Sequence, residues 1–226
     1  MSLVIAVTTF VANATPEAAG PLQQALLQLN REVQTGTLLL SEGDCLAVKI
    51  FSKSEFTHVG VVVVRNGTPF VYDSTNGFGV RCQTLSHYLK SQQPDVLHAF
   101  HPRQKLNVKR AGALAQYLDS QLGRPYSIKH FMTGKRADGV HCSEYATDAL
   151  MACNLIRAQR PAKVSPASLL QGVLKADLYK KGNPVRLKAV AVAEPVGDSW
   201  CEQAWLDTKR CTIGCCSKMK SWILCN

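Results

Sequence analysis

The run Thr57-His58-Val59-Gly60-Val61-Val62-Val63-Val64 constrains this 226-residue chain more than any other stretch. β-Branched side chains lose rotamer freedom in a helix and pack well on a pleated surface, so the run predicts a buried strand. Asn66-Gly67 follows as a strong signal for a two-residue hairpin turn. Residues 69–73 then return as the next strand. The register of this hairpin leaves His58, at the entrance of one strand, two positions off Asp73, at the end of the other. A diagonal pair at that offset has Cα atoms ~7–8 Å apart. A carboxylate there can accept the imidazole N–H when the side chains lean together.

The signals on either side extend the pattern. Gly43-Asp44 is a turn leading into a strand over residues 45–51. Beyond the hairpin come a second turn at 74–79, a strand over 80–82, a short helix over 84–90 and a strand over 96–101. Closely spaced strands joined by short turns imply an antiparallel, curved sheet. Thr15-Pro16-Glu17 reads as N-cap, first-turn proline and first-turn acid, ahead of an apolar face made by Leu22, Leu26, Leu29 and Val33. Gly36 ends that helix. A second helix carries Ala111, Leu114, Ala115, Leu118 and Leu122 on one side, with Gly123 past its last turn. Residues 126–138 read as a basic, irregular connector, Ser165-Pro166 opens a helix to about residue 175, and 185–193 reads as a late strand. The fold class predicted is α+β, a curved antiparallel sheet packed against helices.

The chemistry centres on residues 139–150, Gly-Val-His-Cys-Ser-Glu-Tyr-Ala-Thr-Asp-Ala-Leu. A loop ends near Gly139, and after Cys142 the residues Ala146, Ala149, Leu150 and Cys153 recur at helical spacing. A thiol at a helix N-terminus faces unpaired N–H groups and the positive end of the helix dipole, and both favour thiolate. A lone cysteine in such a segment is more often buried packing. The His58–Asp73 pair upstream shifts the balance, because it completes a set of nucleophile, base and orienter. Tyr72 and Ser74, which flank Asp73, and Ser143, next to the thiol, are candidate substrate-binding residues. His87, His98, His101 and His130 show no metal-ligand spacing, so neither a metal nor a cofactor is expected.

Several ordered segments together carry a family resemblance: Gly43-Asp44, Thr57-His58-Val59-Gly60-Val61-Val62, Val71-Tyr72-Asp73-Ser74, Gly79-Val80-Arg81, Gly123-Arg124-Pro125-Tyr126, Cys142-Ser143-Glu144 and Ser165-Pro166. The chain resembles the circularly permuted papain-like hydrolases of the YiiX/YaeF type, relatives of the NlpC/P60 amidases and more distantly of lecithin–retinol acyltransferase. The match runs in the same order over roughly residues 43–170. It implies a permuted papain-like (NlpC/P60) fold with Cys142 as nucleophile and His58 as general base. Asp73 stands at the family's third polar position, where the longer Glu is frequent. His141 stands where an aromatic residue is common. The implied reaction is acyl transfer, in which the thiolate attacks a carbonyl carbon and water then hydrolyses the acyl-thioester. The backbone N–H of Cys142 is the natural oxyanion donor, a kind of contact worth about 3 kcal/mol.

Composition bounds the setting. With 46% hydrophobic and 19% charged residues the chain can build a packed core. Its net charge of +10 is dispersed, and favours anionic partners such as acidic lipid or the bacterial cell wall. No interleaved aromatic pattern accompanies it, so a nucleic-acid partner is not expected. Five of the nine cysteines, Cys201, Cys211, Cys215, Cys216 and Cys225, crowd the last 26 residues. That crowding predicts a disulfide-stapled tail in an oxidising compartment. A zinc site competes with it, although the tail has neither a Cys-x-x-Cys pair nor a His. Residues 3–12, followed by Ala12-Asn13-Ala14, read as a leader with a short apolar core and a small-residue cleavage site, lacking the usual basic start. A periplasmic or secreted location is the resulting expectation. The domain reading is residues 1–35 as arm and helix (leader at 1–14), 36–195 as the hydrolase domain, and 196–226 as the Cys-rich tail.

The expected function is a cysteine peptidase or amidase acting on an amide, with cell-wall peptide as one substrate. The same thiol chemistry serves a lipid acyl hydrolase or acyltransferase, and the fold also serves a catalytically silent binding module or an effector delivered to other cells. A broad apolar groove beside Cys142 favours an acyl substrate, whereas a narrow polar cleft favours a peptide.

Overall fold

The computed structural model describes residues 20–42, 55–92, 94, 96–136, 138–187 and 208. Among the described residues seven strands form one antiparallel sheet: β1 (Leu38–Glu42), β2 (Phe56–Arg65), β3 (Thr68–Thr75), β4 (Gly79–Thr84), β5 (Val96–Pro102), β6 (Tyr179–Lys181) and β7 (Val185–Arg186). Their order is β4-β3-β2-β1-β5-β6, and β7 pairs with the β6 side of β5 at its other end. The β2–β3 hairpin has the register read from its turn, with Val61 opposite Tyr72 and Arg65 opposite Thr68. Asn66 and Gly67 supply the two positive φ angles, 49° and 78°, that twist such a turn to match its strands.

Helices cover both faces of the sheet. On one face α1 (Pro21–Glu32) and α2 (Leu85–Gln92) pack through Ala25, Leu29, Leu85 and Leu89 onto Leu39, Val62, Val71, Leu97 and Ala99. On the other lie α3 (Val108–Ser120), α5 (Cys142–Ala152) and α6 (Pro166–Lys175), against Leu38, Leu40, Val59, Val61, Val63 and Tyr72. A short helix, α4 (Lys129–Thr133), and the turn Pro161–Lys163 flank the start of α5. Ala146 and Ala149, both without exposed area, let α5 lie close on the sheet. The protein is therefore an α+β antiparallel sheet packed against helices, as expected.

The differences from the sequence reading are local. Strand β1 was not anticipated: Leu38 and Leu40 point to one core and Leu39 to the other, so a strand buried on both faces shows no alternation. The second helix ends at Ser120, which leaves Leu122 46% exposed rather than on the apolar face. The connector expected to be irregular contains the five-residue α4. The first helix starts at Pro21 with Gly20 as its cap, and the Thr15-Pro16-Glu17 signal lies outside the described residues. The leader, the strand at 45–51, the end of the strand at 185–193 and the tail cysteines lie outside the described residues. Among the described residues no disulfide occurs; Cys82, Cys142 and Cys153 are free thiols.

Gly60 is required by a close approach. A Cβ there would lie 2.8 Å from Val71 Cγ1 and 3.4 Å from the Tyr88 hydroxyl, and the β-branched Val71 is restricted in the rotamers by which it could yield. Gly60→Ala is expected to destabilise the fold by about 1–3 kcal/mol. A urea titration should show a lower midpoint at unchanged slope.

Candidate active site

The Cys142 thiol is set at the N-terminus of α5 by a chain of backbone contacts. Val140 N–H donates to the Pro125 carbonyl at 2.9 Å, and Tyr126 and Val140 form a parallel bridge. The two segments approach so closely that a Cβ on Gly139 would lie 2.5 Å from Ser127 Cβ and 2.9 Å from Pro125 O. Ser74, buried on β3, donates its hydroxyl to the Val140 carbonyl at 2.7 Å. His141 caps α5: its Nδ1 accepts the Glu144 N–H at 3.3 Å, while its Nε2 donates to the Ala162 carbonyl at 3.1 Å. His141 is thus the cap beside the sulfur, and His58 is the histidine that meets a carboxylate.

His58 and Asp73 meet across the β2–β3 hairpin, with Nε2 and Oδ2 2.9 Å apart. An ionised carboxylate can only accept, so Nε2 carries the proton and Nδ1 is left for Cys142. The Tyr88 ring stacks on the imidazole at 6.5 Å and 24°. Asp73 has no exposed area. Arg81 holds it from β4 with two contacts, Nε to Oδ1 at 2.9 Å and Nη2 to Oδ2 at 3.2 Å, and Gln92 Nε2 lies 3.5 Å from Oδ2. The shorter Asp therefore reaches the imidazole.

The charges of the three groups support one another. Burial opposes ionisation of the Cys142 thiol, but His141 and His58 outweigh it and bring the thiol down to about 6. Burial likewise opposes a charged His58, yet Asp73 and the Cys142 thiolate hold it up at about 10. The Asp73 carboxyl lies below its ordinary range because His58 and then Arg81 more than offset its burial. Between the two values the pair exists as thiolate and imidazolium, the form a cysteine nucleophile needs.

Cys142, 6% exposed, opens on a shallow cleft lined by Thr57, Tyr126, Ile128, Phe131, His141, Cys142, Ser143, Ser165 and Pro166. Its exposed wall is almost entirely apolar. Phe131 meets the His141 ring edge-on at 5.8 Å. Burial and the neighbouring Cys142 charge both push the Tyr126 hydroxyl above its ordinary value.

Cys142, His58 and Asp73 are thus brought together, and Ser143 lines the cleft with its hydroxyl donated to the Val164 carbonyl at 2.8 Å. Tyr72 and Ser74 are not on that lining. Tyr72 is fully buried, and its hydroxyl donates to Asp119 Oδ1 and accepts from Arg65 Nη2, each at 2.6 Å. Strand alternation explains it, since a residue next to Asp73 points to the opposite face. Arg81, Tyr126, Ile128 and Phe131 are among the contributors that were not assigned roles from sequence. The signal for Arg81 was available, because carrying the register through the Asn76-Gly77-Phe78 turn places it directly opposite Asp73. Ile128 and Phe131 come from a connector without periodicity and left no comparable signal.

A family model described as permuted papain-like amidase enzyme, YaeF/YiiX, C92 family, matches residues 32–184. Among solved structures, the metalloprotein yiiX from Escherichia coli O157:H7 is similar, with a TM-score of 0.51 and 19% identity over 72% of this chain and 98% of that one. At that identity the likeness speaks for the fold. No curated protein matches the chain. Among the described residues, no group of three or more His, Cys, Asp or Glu side chains could hold a metal ion.

Proposed function

The chain belongs to the permuted papain-like amidase family of the YaeF/YiiX type, and on that premise we propose that it hydrolyses an amide through an acyl-thioester on Cys142. One arrangement carries this reading: a thiol lowered to about 6 stands beside a histidine that a buried carboxylate orients, at the wall of a cleft. The Cys142 thiolate attacks the carbonyl carbon, forming the C–S bond and an oxyanion. The Cys142 N–H, at the first turn of α5 with no partner within the helix, is one donor to it. The Tyr126 hydroxyl on the cleft wall is the second donor in this scheme. His58 passes its Nδ1 proton to the leaving nitrogen as the C–N bond breaks, then takes a proton from the water that hydrolyses the thioester. Such proton transfer contributes about 10²–10⁴-fold.

The cleft wall favours a second reading of the substrate, as a lipid acyl amide or ester. Ser143 and Ser165 spend their hydroxyls on Val164 and Ser168, and both nitrogens of His141 are engaged. Little remains to pair a buried peptide backbone, and an unpaired amide is costly to bury. An apolar acyl group asks for no such partner. A cell-wall peptide draws its support from the +10 net charge, and a periplasmic or secreted setting from the leader-like residues 3–14 and the cysteine-crowded tail.

Incubation with a fatty-acyl amide and, separately, with a wall-peptide digest, followed by acid quench and mass spectrometry, tests both readings. A mass adduct on Cys142 from either substrate is expected, and the acyl amide should give the larger yield. No adduct from amide, ester or peptide would leave a binding module.

The pH dependence follows from the signs of the two shifts. Below about 6 the thiolate is protonated, and above about 10 the imidazolium loses its proton. A plot of kcat/KM against pH should therefore be a bell with limbs near those values.

A further inference from the structure

We propose that Arg81 is a positioning residue for this site: it orients the Asp73 carboxylate so that Oδ2 meets His58 Nε2. The proposal rests on the reading of Cys142 and His58 as nucleophile and base. Arg81 stands directly opposite Asp73 in the β3–β4 register. Its fork makes two contacts, Nε to Oδ1 at 2.9 Å and Nη2 to Oδ2 at 3.2 Å. That geometry fixes the rotation of the carboxylate as well as its charge, which a single-point cation does not. The Phe78 ring lies 5.2 Å from the guanidinium carbon and covers it from outside, while the Arg81 side chain keeps 16% exposure.

The need for such a clamp comes from burial. A carboxylate with no exposed area would hold a proton unless a cation or several donors faced it. The groups facing Asp73 are His58 on β2, Arg81 on β4 and Gln92 on α2, and the charges of Asp73, Cys142 and Arg81 all act on the Tyr88 ring between them. His58 is itself the group to be oriented, and Gln92 is neutral and 3.5 Å away. Without Arg81 the carboxyl would protonate more readily and turn more freely, and the imidazole would lose its fixed partner.

The test compares Arg81→Gln and Arg81→Lys with the unaltered protein, following kcat, KM and the pH dependence of iodoacetamide alkylation at Cys142. Arg81→Gln should lower kcat by about 10²-fold with KM within about 2-fold, as for a misplaced catalytic group. Its alkylation midpoint should rise by roughly one pH unit, because the partner that fixes the imidazolium is itself more readily protonated. Arg81→Lys keeps the charge without the fork, so its midpoint should stay near the original while kcat remains about 5–10-fold low. A folded Arg81→Gln protein with unchanged midpoint and kcat would overturn the proposal and leave Arg81 a structural ion pair. If that variant does not fold, a fully active Arg81→Lys would overturn it equally. An unaltered protein whose Cys142 alkylates like an ordinary thiol would remove the nucleophile itself, a result distinct from either.

Discussion

Cys142→Ala is expected to abolish turnover, by about 10⁵–10⁶-fold as for other nucleophiles that act as a unit with their base, while the protein stays folded. The sulfur is the only heavy atom lost, and the site is 6% exposed at the wall of a cleft. The change leaves at most a small gap, and its cost in stability should stay within about 1 kcal/mol. His58 keeps its Asp73 partner at 2.9 Å, so no buried charge is stranded. Steady-state turnover together with a urea titration separates the two effects. A variant that retains measurable turnover would place the chemistry elsewhere.

Asp73→Asn should carry the second largest effect, and in contrast should cost both activity and stability. The amide can no longer take a charge-assisted hydrogen bond from His58, and it presents an N–H₂ group where a lone pair was needed, which favours the wrong tautomer of the ring. A loss of about 10³–10⁴-fold in kcat is expected. The same change leaves Arg81, whose side chain is 16% exposed, facing a neutral group, and stranding one partner of a buried pair costs about 3 kcal/mol or more. Circular dichroism against urea, read beside kcat at a temperature where the variant is folded, resolves the two. Full activity in a folded Asp73→Asn would mean that His58 is oriented without a carboxylate, under the stacked Tyr88 ring.

How much of this could be read from residues alone depended on whether the information was local. The β2–β3 hairpin was legible because Asn66-Gly67 sets its own register and the valines permit only a strand. The helix carrying Cys142 was legible from the spacing of Ala146, Ala149 and Leu150. From those two elements, the meeting of His58 with Asp73 follows by counting. Strand β1 was hidden because burial on both faces erased its alternation. Tyr72 was misplaced because proximity in sequence to Asp73 was allowed to stand for proximity in space, and pleating separates neighbours to opposite faces. The cleft was the least legible part. Tyr126, Ile128 and Phe131 reach it only because Gly139 allows the connector to close on the start of α5, a contact that no short-range pattern encodes.

The central claim is that the fold presents Cys142 to its substrate as a thiolate paired with the His58 imidazolium. Iodoacetamide alkylation of that residue, followed by peptide mass spectrometry across pH 4–10, measures it most directly. A reactivity midpoint near 6 is expected, and His58→Ala should move it upward by removing the charge that faces the sulfur. A midpoint near 8.5, where an ordinary thiol titrates, and unmoved by His58→Ala, would contradict it.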